Sequence, residues 1–214
     1  MADTKAEWRE RLQRARRSID MGTRREAGAD VVARLARLRE FIGARSVLLY
    51  ASLGAELDVH ALARAAWHAR KDVYRPASAE PPPTWVRDDS SPSEPSIEEP
   101  LAAGARDVPE GAASSERFAL PILLIAPGVG FDAFGRRLGR GRGYYDRAIA
   151  ALRDAGDVVI VGVAYDAQVV DALPQDPWDQ RVDLVVTERR VLVPKPSPHC
   201  DPSRPAREEV RDDR

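Results

Sequence analysis

Residues 131–147 read FDAFGRRLGRGRGYYDR, a stretch with four glycines and five arginines around two aspartates and a tyrosine pair. An apolar run at 120–126 precedes it, and a helical pattern over 144–153 follows. A glycine-rich turn between a strand and a helix points backbone N–H groups and the helix N-terminus at an anion. Arginines add fixed charge that suits polyphosphate oxygens. The stretch therefore predicts a folded phosphate-binding loop.

Outward from this loop, short apolar runs alternate with helical patterns. Strands are expected at 46–50, 72–74, 120–126, 158–163, 182–186 and 191–193. Two helices are expected before the first strand, the second starting at Thr23 with a capping-box spacing to Glu26. Two more follow Asp58 and cover 144–153. This alternation predicts an α/β fold, a three-layer αβα sandwich around a mainly parallel, Rossmann-like sheet, in which ligands lie beyond the carboxyl ends of strands.

Length and composition predict one domain over residues 1–193. Residues 76–117 contain eight prolines and are expected to form an irregular, serine- and proline-rich excursion, with a disordered tail at 194–214. The net charge of -1 argues against nucleic acid as the main partner. No apolar run approaches the ~20 residues that span a bilayer, and no signal peptide is recognisable, so we expect a cytoplasmic protein with no membrane association.

The loop also allows other interpretations. Arg–Gly segments with aromatic residues occur in flexible RNA-binding tails. This one is short, occurs once and lies between core-like elements, which favours the phosphate-binding loop. It is not a Walker loop, because no Gly-Lys-Ser/Thr follows. Its glycines at 139, 141 and 143 alternate, which does not match a dinucleotide-binding fingerprint.

Residues 127–147, PGVGFDAFGRRLGRGRGYYDR, resemble the signature of the 5-formyltetrahydrofolate cyclo-ligase family, also called 5,10-methenyltetrahydrofolate synthetases. Shorter matches extend the resemblance from residue 5 to residue 188. They comprise Lys5 and Arg9, Tyr50 to Glu56, Lys71 and Pro76, Ile97 with Glu99 and Pro100, Leu173-Pro174, Asp179, Asp183, and Thr187-Glu188.

This resemblance implies an ATP- and Mg²⁺-dependent ligase of folate metabolism with the cyclo-ligase type of fold, expected to be a monomer. It would cyclise 5-formyltetrahydrofolate to 5,10-methenyltetrahydrofolate with release of ADP and phosphate. ATP would phosphorylate the formyl oxygen, and the neighbouring amine nitrogen would then displace phosphate as the ring closes. Such chemistry needs positioning and charge stabilisation more than a nucleophilic triad.

The resemblance also implies a role for each site residue. ATP would be bound by Lys5, Arg9, Arg137, Leu138, Gly139, Arg140, Gly141, Arg142, Gly143, Tyr144 and Tyr145. The expected catalytic residues are Arg137, Arg140 and Tyr144. The expected folate contacts are Glu56, Arg140 and Tyr144. Asp146 and Asp183 are expected to hold Mg²⁺, directly or through water.

Plain structural interpretations stand beside these roles. Asp146 fits a helix first-turn acid that the helix dipole favours, and Glu56 fits a solvated loop acid. Tyr144 and Tyr145 fit aromatics that pack under a helix start. Two other functions also remain open at this point. One is a diverged nucleotide-binding relative with a different substrate, which the unusual 76–117 segment motivates; the other is an RNA-binding module that uses the Arg-Gly-Tyr loop.

Overall fold

The computed structural model describes residues 3–77, 84–89 and 118–196. Its strands, in chain order, are β1 Ser46–Leu48, β2 Asp72–Pro76, β3 Trp85–Arg87, β4 Ile122–Pro127, β5 Gly130–Asp132, β6 Arg137–Leu138, β7 Val158–Val163, β8 Val169–Val170, β9 Leu184–Val186 and β10 Val191–Leu192. Seven of them form the central sheet in the order β10-β9-β7-β4-β1-β2-β3. The five inner strands run parallel, and β3 and β10 are antiparallel edges.

Helices cover both faces of this sheet. They are α1 Lys5–Arg17, α2 Met21–Leu35, α3 Arg39–Gly43, α4 His60–His68 and α5 Tyr144–Ala155. Side chains alternate between the faces because successive residues of a strand point to opposite sides. Leu123 and Ile125 of β4 pack in the cluster of α2, α3 and α4, and Leu124 packs in the cluster of α5. The predicted α/β class with a mainly parallel sheet is confirmed.

The first two helices begin where a side chain caps the backbone N–H groups of the first turn. Thr4 and Glu7 form a capping box ahead of α1. The expected start of α2 at Thr23 is wrong, because the Asp20 side chain accepts from the Thr23 backbone N–H and the helix already begins at Met21. The short helix α3 was not predicted. The last helix, α5, begins at Tyr144 after Gly143, as expected, and runs to Ala155, two residues beyond the expected 144–153, where Gly156 ends it.

A second, smaller sheet that the sequence did not predict follows β4. It has the order β6-β5-β8, with β5 and β6 antiparallel and β8 parallel to β5. The buried carboxylate of Asp132 holds its turn by accepting from the N–H groups of Phe134, Arg136 and Leu173, each at 2.9 Å. Leu12 of α1 packs over this sheet in a cluster with Val129, Leu138 and Leu173. The first part of the predicted phosphate loop, residues 130–138, is therefore a β-hairpin whose turn is held by Asp132.

Two predicted irregular stretches are partly regular. Within 76–117, β3 pairs with β2, and Trp85 packs against the α5-side core. The segment expected as a tail begins with an ordered contact, from Lys195 N–H to the Ala133 carbonyl at 2.9 Å. Residues 78–83, 90–117 and 197–214 lie outside the described residues, and with them Ile97, Glu99 and Pro100. In the described part of the chain, no helix combines the length and apolar character needed to cross a bilayer.

Candidate active site

The glycine-arginine loop, residues 139–143, connects β6 to α5 at the carboxyl edge of the central sheet. Two arginines fix its backbone from outside: Arg9 Nε donates to the Gly139 carbonyl at 2.9 Å, and Arg147 Nη2 donates to the Arg142 carbonyl at 2.7 Å. Gly141 and Gly143 adopt φ values of 99° and 64°, a region that suits glycine. The loop thus has a defined path that exposes backbone groups to a ligand.

Arg137 lies beneath this loop, with a side chain only 3% exposed. Its Nη2 donates to Asp146 Oδ1 at 3.0 Å and its Nη1 to the Pro127 carbonyl at 3.4 Å. The guanidinium also stands over the Tyr145 ring, 5.5 Å from the centroid. Its Nε has no hydrogen-bond partner among the described residues. Arg137 therefore ties β6 to the start of α5 while keeping one donor unused.

Arg140 behaves differently, because its side chain is 48% exposed and reaches across to the loop after β1. There Nη2 contacts Glu56 Oε1 at 2.6 Å. Glu56 is 8% exposed, also accepts from the Leu53 N–H, and has Arg16 Nη1 at 3.9 Å. The structure thus joins two of the three residues expected to contact folate. Glu56 is not the solvated acid that the plain structural interpretation suggested.

The two tyrosines at the start of α5 form a tilted pair with centroids 5.2 Å apart. Burial raises the pKa of Tyr145 far above its usual value, with the Tyr144 phenol adding to the effect, so its hydroxyl stays protonated. Tyr145 packs against both cores, which fits the packing interpretation. Tyr144 is partly buried, and burial raises its pKa too. It follows Gly143 directly and lies beside the loop.

Lys5 and Arg9 lie one turn apart on α1 but contact different segments. Lys5 Nζ bonds Asp176 at 2.7 Å and also bonds Asp179. Burial lowers the pKa of Lys5, but the hydrogen bonds and negative charges of these two carboxylates outweigh it and hold the pKa above its usual value. Arg9 contacts the loop itself. Arg9 therefore contacts the loop directly, whereas the amine of Lys5, one turn earlier on the same helix, bonds the 176–179 segment.

The two expected metal ligands contact different groups of this chain. Asp146, in the first turn of α5, accepts at Oδ1 from Arg137 Nη2 and, at 3.1 Å, from the Gln180 N–H. Asp183 Oδ2 accepts from the Ile160 N–H at 2.8 Å, and its Oδ1 lies 3.4 Å from Nη2 of Arg153, a residue in the last turn of α5. Within residues 3–77, 84–89 and 118–196, no three His, Cys, Asp or Glu side chains are grouped so as to hold a metal ion.

Three structurally important residues were missed by sequence reasoning. Asp132 pins the hairpin turn, and an Asp three residues before a glycine was an available turn signal. Gln168 is buried and donates to the carbonyls of Gly128 and Val129 at 3.1 and 2.8 Å, a role that no local pattern reveals. Arg16 follows Leu12 on the apolar face of α1, where a charged residue is out of place.

Known proteins resemble this chain along nearly its whole length. The sequence model of the 5-formyltetrahydrofolate cyclo-ligase family matches residues 1–188. The 5-formyltetrahydrofolate cyclo-ligase of Escherichia coli K12 is 29% identical over 196 residues, covering 84% of this chain and 98% of the relative. The mouse protein of the same name is 38% identical over 68 residues, covering 31% of this chain and 34% of its own length.

Solved structures agree with this. The Aquifex aeolicus 5,10-methenyltetrahydrofolate synthetase, solved by NMR, superposes with a TM-score of 0.65 at 28% identity, covering 98% of this chain and 99% of that chain. The Mycoplasma pneumoniae 5,10-methenyltetrahydrofolate synthetase has the same TM-score at 20% identity, covering 87% of this chain and 99% of that one, and supports the fold.

Proposed function

Since the chain belongs to the 5-formyltetrahydrofolate cyclo-ligase family, we propose that it uses ATP to close the ring of 5-formyltetrahydrofolate, giving 5,10-methenyltetrahydrofolate, ADP and phosphate. Enzymatic cyclo-ligase activity follows from the family; the use of Mg²⁺ and the roles of individual residues are part of the proposal. The observation that carries it is the Arg140–Glu56 contact, which joins the glycine-arginine loop to the carboxylate expected at the folate.

The proposed reaction has two steps. The formyl oxygen attacks the γ-phosphorus and the bond to ADP breaks, which leaves a phosphorylated, electron-poor formyl carbon. The N10 amine then attacks that carbon, the carbon–oxygen bond breaks as phosphate leaves, and N10 loses its proton. Negative charge moves between phosphate oxygens in both steps, and arginines fixed in advance stabilise such charge. We assign this task to Arg137 and Arg140, with Tyr144 lining the cleft.

The loop fits a triphosphate on physical grounds. Arg137 keeps an unused buried donor, and the three glycines at 139, 141 and 143 present backbone groups without a side chain of their own. Arg9 adds a positive charge beside Gly139 and Gly141. We propose that Arg137 to Tyr145 bind ATP together with Lys5 and Arg9.

Of the two aspartates, Asp146 fits a magnesium ion better. Its hydrogen bonds from Arg137 and Gln180 both fall on Oδ1, which leaves Oδ2 for a cation, and Mg²⁺ on nucleotides uses few protein carboxylates. Both oxygens of Asp183 face donors of this chain. We therefore propose Asp146 as the residue that would hold Mg²⁺, which neutralises phosphate charge, and Asp183 as a residue that positions the start of β9.

The direct test mixes purified protein, MgATP and 5-formyltetrahydrofolate and follows methenyl absorbance. We expect product and ADP in equal amounts, with ATP consumed only when the formylated folate is present. ATP binding without methenyl product would support the diverged relative instead. Salt-sensitive RNA binding without ATP dependence would support the RNA-binding module.

A magnesium titration tests the metal assignment. Asp146→Asn keeps an acceptor for the Gln180 N–H but removes the charge, so we expect turnover to fall at least tenfold and the apparent Mg²⁺ constant to rise. Weakening the bond to buried Arg137 should also lower the free energy of unfolding by about 1–3 kcal/mol. Asp183→Asn is the matched control, which should lose stability with an unchanged Mg²⁺ constant. The reverse pattern would move the metal to Asp183.

A further inference from the structure

Beside Glu56 lies a buried polar cluster that the phosphate loop does not use. Arg16 from the last turn of α1 is 7% exposed, and Tyr165 after β7 is 2% exposed. The Arg16 Nε and the Tyr165 hydroxyl have no hydrogen-bond partner among the described residues, and neither has Arg24 Nε. Such groups are rare in folded proteins, because an unsatisfied buried donor is destabilising. A ligand that accepts hydrogen bonds would remove this cost.

Both side chains lie close to Glu56: Arg16 Nη1 is 3.9 Å from Glu56 Oε1, and Tyr165 packs in the core cluster that contains Leu57, the residue after Glu56. Burial raises the pKa of Tyr165, whereas the charges of Arg24 and Arg16 lower it and those of Asp58 and Glu188 raise it. Arg24 has a structural task, because its Nη2 bonds the carbonyls of Arg16 and Arg17 at the end of α1. Arg16 and Tyr165 are therefore the pair left for a ligand.

Charge favours an acceptor at this place. Glu56 has a single negative charge, and it lies 2.6 Å from Arg140 and 3.9 Å from Arg16. Arg140 is half-exposed and can turn to a phosphate, whereas Arg16 is fixed in the interior. Arg16 thus stays beside the Glu56 carboxylate, which offsets only part of its positive charge, and its Nε remains free to donate.

The pterin of a reduced folate matches this arrangement. Its 2-amino group and N3–H are neighbouring donors that one carboxylate can accept together. Next to N3 on the ring is the C4 carbonyl, whose oxygen has two lone pairs. When Glu56 accepts from the two donors, the carbonyl comes to lie beside the carboxylate, where Arg16 stands.

Resting on the proposed function, we propose that Arg16 and Tyr165 donate hydrogen bonds to the C4 carbonyl of the substrate's pterin ring. They would orient the ring so that the formyl oxygen faces the γ-phosphorus of ATP, and they would select 4-oxo over 4-amino pteridines. A 4-amino group places a donor against two donors, which a buried site rejects strongly. The pair is thus a specificity-determining element of the folate site, made by α1 and the end of β7.

The test uses two ligands that differ at position 4 and at the neighbouring N3. Folic acid has a 4-oxo group and an N3–H, whereas aminopterin has a 4-amino group and no hydrogen on N3. Glu56 therefore contributes to the ratio of the parent protein, and the change in each variant isolates the contribution of Arg16 or Tyr165. Dissociation constants are measured by titration calorimetry in the presence of a non-hydrolysable MgATP analogue, so no turnover is needed. We expect the parent protein to bind folic acid at least about tenfold more tightly. Arg16→Met and Tyr165→Phe should each reduce that ratio severalfold.

Matched controls separate selectivity from folding. Arg17→Met is the control: it removes an exposed neighbouring arginine and should keep the parent ratio of dissociation constants. Of the two test variants, Tyr165→Phe is the milder, because it removes one hydroxyl and keeps the shape of the ring. Melting temperatures identify any variant that fails to fold. A parent ratio near one, or ratios in both variants equal to the parent's, would overturn the inference. If the parent protein forms no methenyl product at all, the proposed function fails instead, which is a distinguishable result.

Discussion

The hairpin at 130–138 and the loop at 139–143 are adjacent in sequence and both contain glycines and two arginines, yet they are built in opposite ways. The hairpin is buried, with a 1% exposed Asp132 at its turn and Arg137 enclosed beneath the loop. In the loop, Arg140, Gly141 and Arg142 are exposed. Its backbone is held from outside by Arg9 and Arg147. The difference teaches that two arginines three positions apart can occupy a buried structural position and an exposed, accessible one.

Removing the hairpin's anchor should have the largest effect. Asp132→Ala leaves the N–H groups of Phe134, Arg136 and Leu173 without their buried acceptor, so we expect a loss of at least about 3 kcal/mol in the free energy of unfolding. Urea unfolding measures it. The exposed Asp154→Ala on α5 is the control and should change stability by less than about 0.5 kcal/mol. A small loss at Asp132 would mean that the hairpin does not depend on its turn.

The two arginines should respond differently to lysine, which keeps the charge but not the planar fork. Arg137→Lys cannot reach both Pro127 and Asp146, so we expect a loss of about 1–3 kcal/mol in stability together with a higher apparent ATP constant. Arg140→Lys should lose less than about 1 kcal/mol, because its ion pair is half-exposed.

Urea unfolding and ATP titration on the same preparations check both variants. Equal stability losses would erase the distinction between hairpin and loop. Unchanged ATP constants in both would place the nucleotide elsewhere.

The loop backbone should show a smaller effect than the hairpin's anchor. A side chain at Gly141 has room, since its nearest neighbour would be Arg9 at 3.5 Å, but the φ of 99° is unfavourable for any other residue. Gly141→Ala should therefore cost about 1–2 kcal/mol in stability. Gly43→Ala is the control: it lies at the end of α3 with open space around it and should be nearly neutral. Thermal unfolding of both variants is the measurement, and equal shifts would show that the loop tolerates a left-handed alanine.

Sequence reasoning succeeded where a pattern is local and repeated. Strand β7 was predicted with its observed bounds, because a six-residue run of five Val or Ile residues and one glycine has few alternatives. The start of α5 followed from Gly143 and the helical spacing after it. The hairpin was missed because β6 has only two residues within an Arg–Gly background, where no period can be read. Its partner β8 is also two residues long.

The site was harder to predict from sequence because its contacts are distant along the chain. Arg140 and Glu56 are 84 residues apart, and only the family resemblance suggested a shared ligand. Asp183 directly precedes an apolar strand, a position that is common to metal-binding and to structural acids, so the sequence does not distinguish the two roles. Its partners, Arg153 and the Ile160 N–H, come from two other elements, so the three-dimensional packing alone reveals what it contacts.

The Arg140–Glu56 ion pair has a consequence for how two ligands influence each other. A folate that takes Glu56 and a phosphate that attracts Arg140 both open the same contact, so the cost of opening falls on whichever ligand binds first. The second ligand then binds more tightly, and the gain is reciprocal, as linkage requires. Since Arg140 is half-exposed, this coupling free energy is at most about 1 kcal/mol. In the proposed site, the loop would thereby make the two substrates weakly cooperative through one shared side-chain contact.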